Sequence, residues 1–243
     1  MLSIYFKELR SFFSSIVGYV VLLVFLVACG LFLWMFSDTS ILEYGYASMD
    51  QFFYLAPWLL LFLIPAITMR SFADEFKGGT IEWLSTKPLK PAEIVLGKFL
   101  ASFTLVCIAL LPTLIYVFSI HYLAMDDAAL DAGGIIGSYT GLLFLVAAFT
   151  AIGVFSSSLT DNQIVGFLIA LFICALLYFG FEALSRVPAF LGGADYYLGM
   201  IGMDDHYNSI SRGVIDSRDV IYFLSLIVLF ITLTRFTLLR RKA

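Results

Sequence analysis

The chain is 243 residues long, 61% hydrophobic and only 13% charged, with a mean hydropathy of +0.98. Soluble domains carry about 25% charged residues, so this composition cannot build a water-facing surface and lipid must cover the outside. The formal charge of -4 singles out no partner, and Cys29, Cys107 and Cys174 each lie inside an apolar run, which argues against a disulfide framework.

The start, MLSIYFKELRSFFSS, has no small-residue cleavage site after a short apolar core, so no cleaved signal peptide is expected. Residues 2–15 divide by face at 100° per residue. Leu2, Tyr5, Phe6, Leu9, Phe12 and Phe13 lie on one side, Ser3, Lys7, Glu8, Arg10, Ser11 and Ser14 on the other, and Ile4 is the exception. The pattern predicts an amphipathic helix on the membrane surface; a first span reaching slightly beyond the bilayer is the alternative.

Six apolar stretches follow, at 16–36, 52–69, 99–123, 135–155, 164–184 and 220–239. Each suits a membrane-crossing helix of about 20 residues. Hydrocarbon demands that backbone groups pair within the segment, and no stretch alternates as a barrel strand does, so the fold class is an all-α integral membrane protein in a single domain, 1–243. Pro57 and Pro65 predict a kink or a break in the second span.

With the N-terminus inside, the spans leave 11 Lys and Arg on the cytoplasmic side and Arg186, Arg212 and Arg218 outside. Both termini are therefore expected in the cytoplasm. The outer segments are acidic instead, carrying Asp126, Asp127, Asp131, Asp204, Asp205, Asp216 and Asp219 among others.

The long inner segment is RSFADEFKGGTIEWLSTKPLKPAEIVLGK, Arg70 to Lys98. Arg70 to Lys77 continues the second helix, Gly78 and Gly79 end it, and Thr80 caps a short helix over Ile81 to Ser85. Pro88 and Pro91 stop that piece and start the next. The short helix presents Ile81, Trp83 and Leu84 amid charges, as a helix docking into a partner's groove would, or as an interfacial helix whose Trp83 sits at headgroup level.

Gly133, Gly137 and Gly141 recur every four residues in the fourth span and mark a helix-packing groove, filled within the chain or across a dimer. The outer stretch Ser185 to Asp219 exceeds a simple turn. Tyr196 to Met203 suits the outer membrane surface, and the remainder a short helix and a turn, as a folded lid or as a site for substrate or a periplasmic partner.

Several chemistries lack their residues. Gly97-Lys98 runs into Phe99 without the upstream glycine of a phosphate-cradling loop, so no ATP hydrolysis is expected of this chain. No H-E-x-x-H occurs, His121 and His206 lie in different outer segments, and neither metal nor catalytic residues are assigned. Nor is nucleic acid an expected partner. An ion-coupled carrier would need charge deep in the bilayer, and the one candidate, Glu182, lies near an outer helix end beside Arg186.

Glu75, Gly79, Thr80, Glu82, Leu84, Pro88, Gly97 and Lys98 together resemble the inner-loop motif of ABC-2 type transporter permeases, as do the amphipathic first helix and the six spans. The resemblance implies a permease subunit paired with a second permease subunit, as homo- or heterodimer, and with a separate ATP-binding subunit that holds ATP and Mg. It implies that Glu75, Gly79, Thr80, Glu82, Trp83 and Leu84 form the coupling surface for that subunit. It also implies a multi-pass place in the bacterial inner membrane. Trp83 stands where Leu is commoner in the family. The segment His206 to Ser225 resembles the gliding-motility-associated permeases of the family, and a copper-site maturation permease has a similar one. Export or conformational work linked to gliding is the function implied, with a structural anchor of an envelope complex that moves no solute as the alternative.

Overall fold

A computed structural model of the chain describes residues 1–36, 40–41, 48–80, 90–124, 131–188 and 193–242. Its described residues form helices: α1 Leu2–Phe13, α2 Ile16–Trp34, α3 Asp50–Thr68, α4 Arg70–Lys77, α5 Pro91–Leu110, α6 Leu114–Leu123, α7 Ala132–Leu159, α8 Gln163–Ala175, α9 Phe181–Ser185, α10 Ala194–Gly199, α11 Met203–Ser211 and α12 Ser217–Lys242. Five stretches are long and apolar enough to cross a membrane: Asp50–Lys77, Pro91–Leu123, Ala132–Leu159, Gln163–Ser185 and Ser217–Arg241. Among the described residues the α1–α2 pair, bent by 71°, makes a sixth if it is counted as one span.

Helix α7 is the axis of the bundle, touching α3, α4, α5, α8, α11 and α12. Small residues permit this. A methyl group at Gly137 would stand 2.6 Å from Gly213 Cα, and one at Gly153 would run into the Thr68 side chain. Close backbone approach multiplies dispersion contacts, the main packing force where lipid is as apolar as the helix. By contrast, α8 and α12 turn most of their apolar surface outward.

Proline acts differently at its two main sites. Pro57 lies inside α3, where its missing N–H frees the Phe53 carbonyl. The Tyr207 hydroxyl, reaching over from α11, donates to that carbonyl at 2.9 Å, and the helix continues through this proline and through Pro65. The break falls instead at Met69, between α3 and α4. In the third span Pro112 does interrupt the helix, as a 3-10 turn over Leu111–Thr113 separates α5 from α6. A π turn at Leu176–Gly180 joins α8 to α9 in the fifth span. Neither irregularity is visible as a change in hydropathy.

Both termini lie at one end of the bundle, here the terminal end. Arg241 near the C-terminus pairs with Asp161 at 2.6 Å and stacks over Phe76 of α4, while Leu238 joins Ile4, Phe72, Ile94 and Val95 in one apolar cluster. The far end is closed by α11, whose Met203, Tyr207 and Ile210 sit at a helical spacing and bury themselves. Ser211 ends α11 with its carbonyl accepting from Ser138 of α7 at 3.0 Å.

Candidate functional site

The most concentrated polar structure lies at the terminal end, where α1, α4 and α5 meet. Gly97 makes it possible, because a methyl group there would press on Ile4 at 3.1 Å. Ile4, the exception to the amphipathic pattern, is 4% exposed and is the residue that seats α1 on α5. Tyr5 adds a hydrogen bond to Thr104 at 3.2 Å. With α1 so seated, Leu2 and Phe6 face outward and part of the polar face turns toward the protein.

That polar face completes an ion cluster. Lys98 is 1% exposed; its ammonium lies 2.8 Å from Glu8 and 3.0 Å from Glu75, donates to the Ser71 carbonyl and stands over the Phe72 ring. Lys7 approaches Glu75 at 2.8 Å and Glu8 at 3.7 Å. A buried ammonium is tolerated only with such partners, since desolvation otherwise forces it to neutralise. Alternating charges therefore join the first helix, the end of the second span and the start of the third.

A second fastening holds the same region to α7. The Ser157 hydroxyl donates to the Met69 carbonyl at 2.8 Å and accepts from the Phe72 and Ala73 amides at 2.9 and 3.2 Å. These groups lie at the α3–α4 junction, so Ser157 supports the break in the backbone. Asp74 is bonded to Gln163, which ties α4 to α8 as well.

Beyond this bracket the chain enters its loop. Gly78 ends α4, and Gly79 follows at φ +64, a left-handed conformation that an L side chain resists. Thr80 is exposed just beyond α4, its hydroxyl 3.4 Å from the Glu75 carbonyl. On the return side Pro91 opens α5, and the Glu93 carboxylate accepts from the Lys90 amide at 3.0 Å. Of the coupling residues named from sequence, Gly79 and Thr80 are at the surface, and Glu75 is 7% exposed within the ion cluster. Glu82, Trp83 and Leu84 lie outside the described residues.

The glycine stripe serves the opposite end. Gly137 and Gly141 face Ile210 of α11, and Gly133 abuts Gly213 at φ +85 in the turn after it. The groove is thus filled from within the chain. A cleft of about 580 Å³ opens beside it, lined in part by Asp50, Tyr54, Asp131, Asn208 and Arg212. Nearby, His206 lies between the Asp219 carboxylate at 2.7 Å and the Met200 carbonyl at 2.9 Å, stacked on Tyr222. Burial raises the Asp204 carboxyl above its usual value, with the Glu182 and Asp205 charges adding to the shift, while Tyr178 and Asn208 hydrogen bonds oppose it. Glu182 itself pairs with Arg186.

A protein-family model described as "ABC-2 family transporter protein" matches residues 2–233. The chain belongs to the ABC-2 transporter family. No curated protein sequence matches it significantly. As an ABC-2 family member it is a membrane subunit, and membership implies work alongside an ATP-binding subunit.

Sequence reasoning located the loop of this ABC-2 protein but missed the bracket beneath it. Lys7 and Glu75 are 68 residues apart and Glu8 and Lys98 are 90 apart, separations that no helical period can relate. One signal was available. Lys98 stands inside the third helix, and a lysine at that depth needs a carboxylate. Ser157 had a weaker signal, as Gly153 and Ser157 repeat the small-residue spacing of the glycine stripe at the other end of α7.

Proposed function

We propose that the chain is the permease subunit of an ABC transporter in which the loop between α4 and α5 receives the movement of a separate ATP-binding subunit. The observation that carries this reading is the Glu75–Lys98 contact at 3.0 Å, which joins the two roots of the loop. A push on residues 80–90 then moves α3–α4 and α5 together rather than folding the loop against itself. Lys7 and Glu8 pass the displacement to α1, and Ser157 passes it to α7. Nucleotide binding must favour one arrangement by about 5.5 kcal/mol to turn a 1:99 population into 99:1. ATP and Mg belong to the partner in this scheme, and this chain performs no chemistry.

The loop and both termini face the cytoplasm of a bacterial cell in this reading, and the membrane is the inner one. The excess of Lys and Arg on that side supports it. A second permease subunit, identical or related, completes the transporter. The outer segment from His206 to Ser225 supports a tie to gliding motility, with α11 and the neighbouring cleft offered to a periplasmic partner or substrate.

Trp83→Asp tests the proposal. With the permease tagged and expressed in its native host, the variant should lose co-purification of the ATP-binding subunit while keeping its membrane level. Undiminished co-purification together with normal ATP-driven activity would remove the loop from the coupling role.

A further inference from the structure

A cavity of about 180 Å³ lies beside the ion cluster, walled by α1, α2, α3, α4 and α5. Three polar atoms on its wall are buried without a hydrogen-bond partner among the described residues: Arg70 Nε, Ser71 Oγ and Glu75 Oε2. Ser71 and Glu75 are each only 7% exposed, and Arg70 has no carboxylate within ion-pair distance among the described residues. Buried polar atoms of this kind are normally satisfied, because an unmet donor or acceptor loses its water without compensation.

The unmet set is one cationic donor, one hydroxyl and one carboxylate oxygen. No simple ion satisfies it, since an anion for Arg70 repels Glu75 and a cation for Glu75 repels Arg70. The whole wall balances in the same way, with Lys7, Arg70 and Lys98 against Glu8, Asp74 and Glu75. A ligand carrying both a phosphate and a protonated amine meets every member, the phosphate accepting from Arg70 and Ser71 and the ammonium donating to Glu75. Arginine's planar fork suits phosphate oxygens in particular.

The rest of the wall is apolar. Phe12, Val21, Ile67 and Leu105 continue the cavity away from the charges. On the neighbouring outer surface Ile16, Tyr19 and Val20 are exposed where lipid would lie. A soluble zwitterion leaves that apolar part unfilled, whereas a lipid fills both halves.

We propose that this cavity binds an aminophospholipid from the leaflet at the terminal end, with Arg70 and Ser71 on its phosphate, Glu75 on its ammonium, and the glycerol and upper acyl region against Phe12, Val21, Ile67 and Leu105. A quaternary ammonium has no N–H for Glu75, and a glycerol headgroup has no cation, so phosphatidylethanolamine is selected over phosphatidylcholine and phosphatidylglycerol. The site seats a lipid where α1 meets the ion cluster and stands independently of what the loop docks against.

The test uses the full-length chain, stripped of lipid in detergent and titrated with each of the three phospholipids while bound lipid is counted by native mass spectrometry. One phosphatidylethanolamine per chain should bind about tenfold or more tightly than the other two, the scale of one lost charged hydrogen bond. Arg70→Gln should weaken binding of all three lipids, which share the phosphate, and Glu75→Gln should remove the preference for phosphatidylethanolamine, with helicity by circular dichroism as the check on folding. Val21→Trp, which fills the apolar part and leaves the charges intact, should lower uptake of all three lipids. Equal binding of the three by the unaltered protein, or a preference that survives Glu75→Gln, overturns the proposal. Soluble phosphoethanolamine that binds as tightly as the lipid also overturns it, since the acyl region would then contribute nothing.

Discussion

Replacing Lys98 with Met keeps the length and apolar stem of the side chain and removes only its charge. The ammonium is 1% exposed and serves two carboxylates, Glu8 at 2.8 Å and Glu75 at 3.0 Å. Breaking a buried pair by deleting one partner costs about 3–5 kcal/mol, because the other charge stays behind without compensation. Lys7 still stands 2.8 Å from Glu75 and 3.7 Å from Glu8, which places the loss at the lower end, about 3 kcal/mol. At about 2–4 °C per kcal/mol for a chain of this size, the thermal midpoint in detergent should fall by about 6–12 °C. Glu8→Gln removes one of the stranded carboxylates, so the Glu8→Gln/Lys98→Met double variant should be more stable than the sum of its singles by about 0.5–3 kcal/mol. An unchanged midpoint for Lys98→Met, or effects that add within about 0.3–0.5 kcal/mol, would refute the cluster as the fastening of the loop roots.

Gly137→Ala forces a methyl group against Gly213 Cα and the Ile210 carbonyl, at 2.6 and 2.8 Å, so it should cost about 1–3 kcal/mol of stability by overpacking. In the same melting series Gly133→Ala, whose added carbon would meet only Asp131 at 3.4 Å, should be neutral or slightly stabilising. Asp204 carries the pH prediction. Its folded-state pKa lies above the ordinary 3.8, chiefly through burial, so the folded chain holds this proton more tightly than the unfolded one. The group therefore costs stability when ionised, and that cost is relieved as pH falls through the raised value toward 3.8. Asp204→Asn should flatten this part of the stability-against-pH curve, measured by thermal melts; an unaltered curve would show that Asp204 does not produce it.

The membrane architecture was legible because apolar length and chain punctuation act locally. Gly78 and Gly79 end α4 and Pro91 begins α5, as their local chemistry requires. The interruption at Pro112 was not legible, since Pro57 stands in an equally apolar run and leaves its helix continuous. At Pro57 the freed carbonyl is met by Tyr207, a donor 154 positions away that no local pattern reveals. The site follows the same division. Its loop could be read from a short motif, whereas the pairing of Lys7 and Glu8 with Glu75 and Lys98 depends on Ile4 fitting against Gly97, a contact that exists only after the helices have met.

The proposed docking of the α4–α5 loop on the ATP-binding subunit can be tested directly by cross-linking. In a variant with Cys29, Cys107 and Cys174 replaced, a single Thr80→Cys at the exposed position beyond α4 is joined through a short bifunctional reagent to the co-expressed ATP-binding subunit. The loop-docking reading predicts a cross-linked pair whose yield changes when nucleotide is added. Labelling of Thr80→Cys only from the side of the membrane opposite that subunit would contradict it.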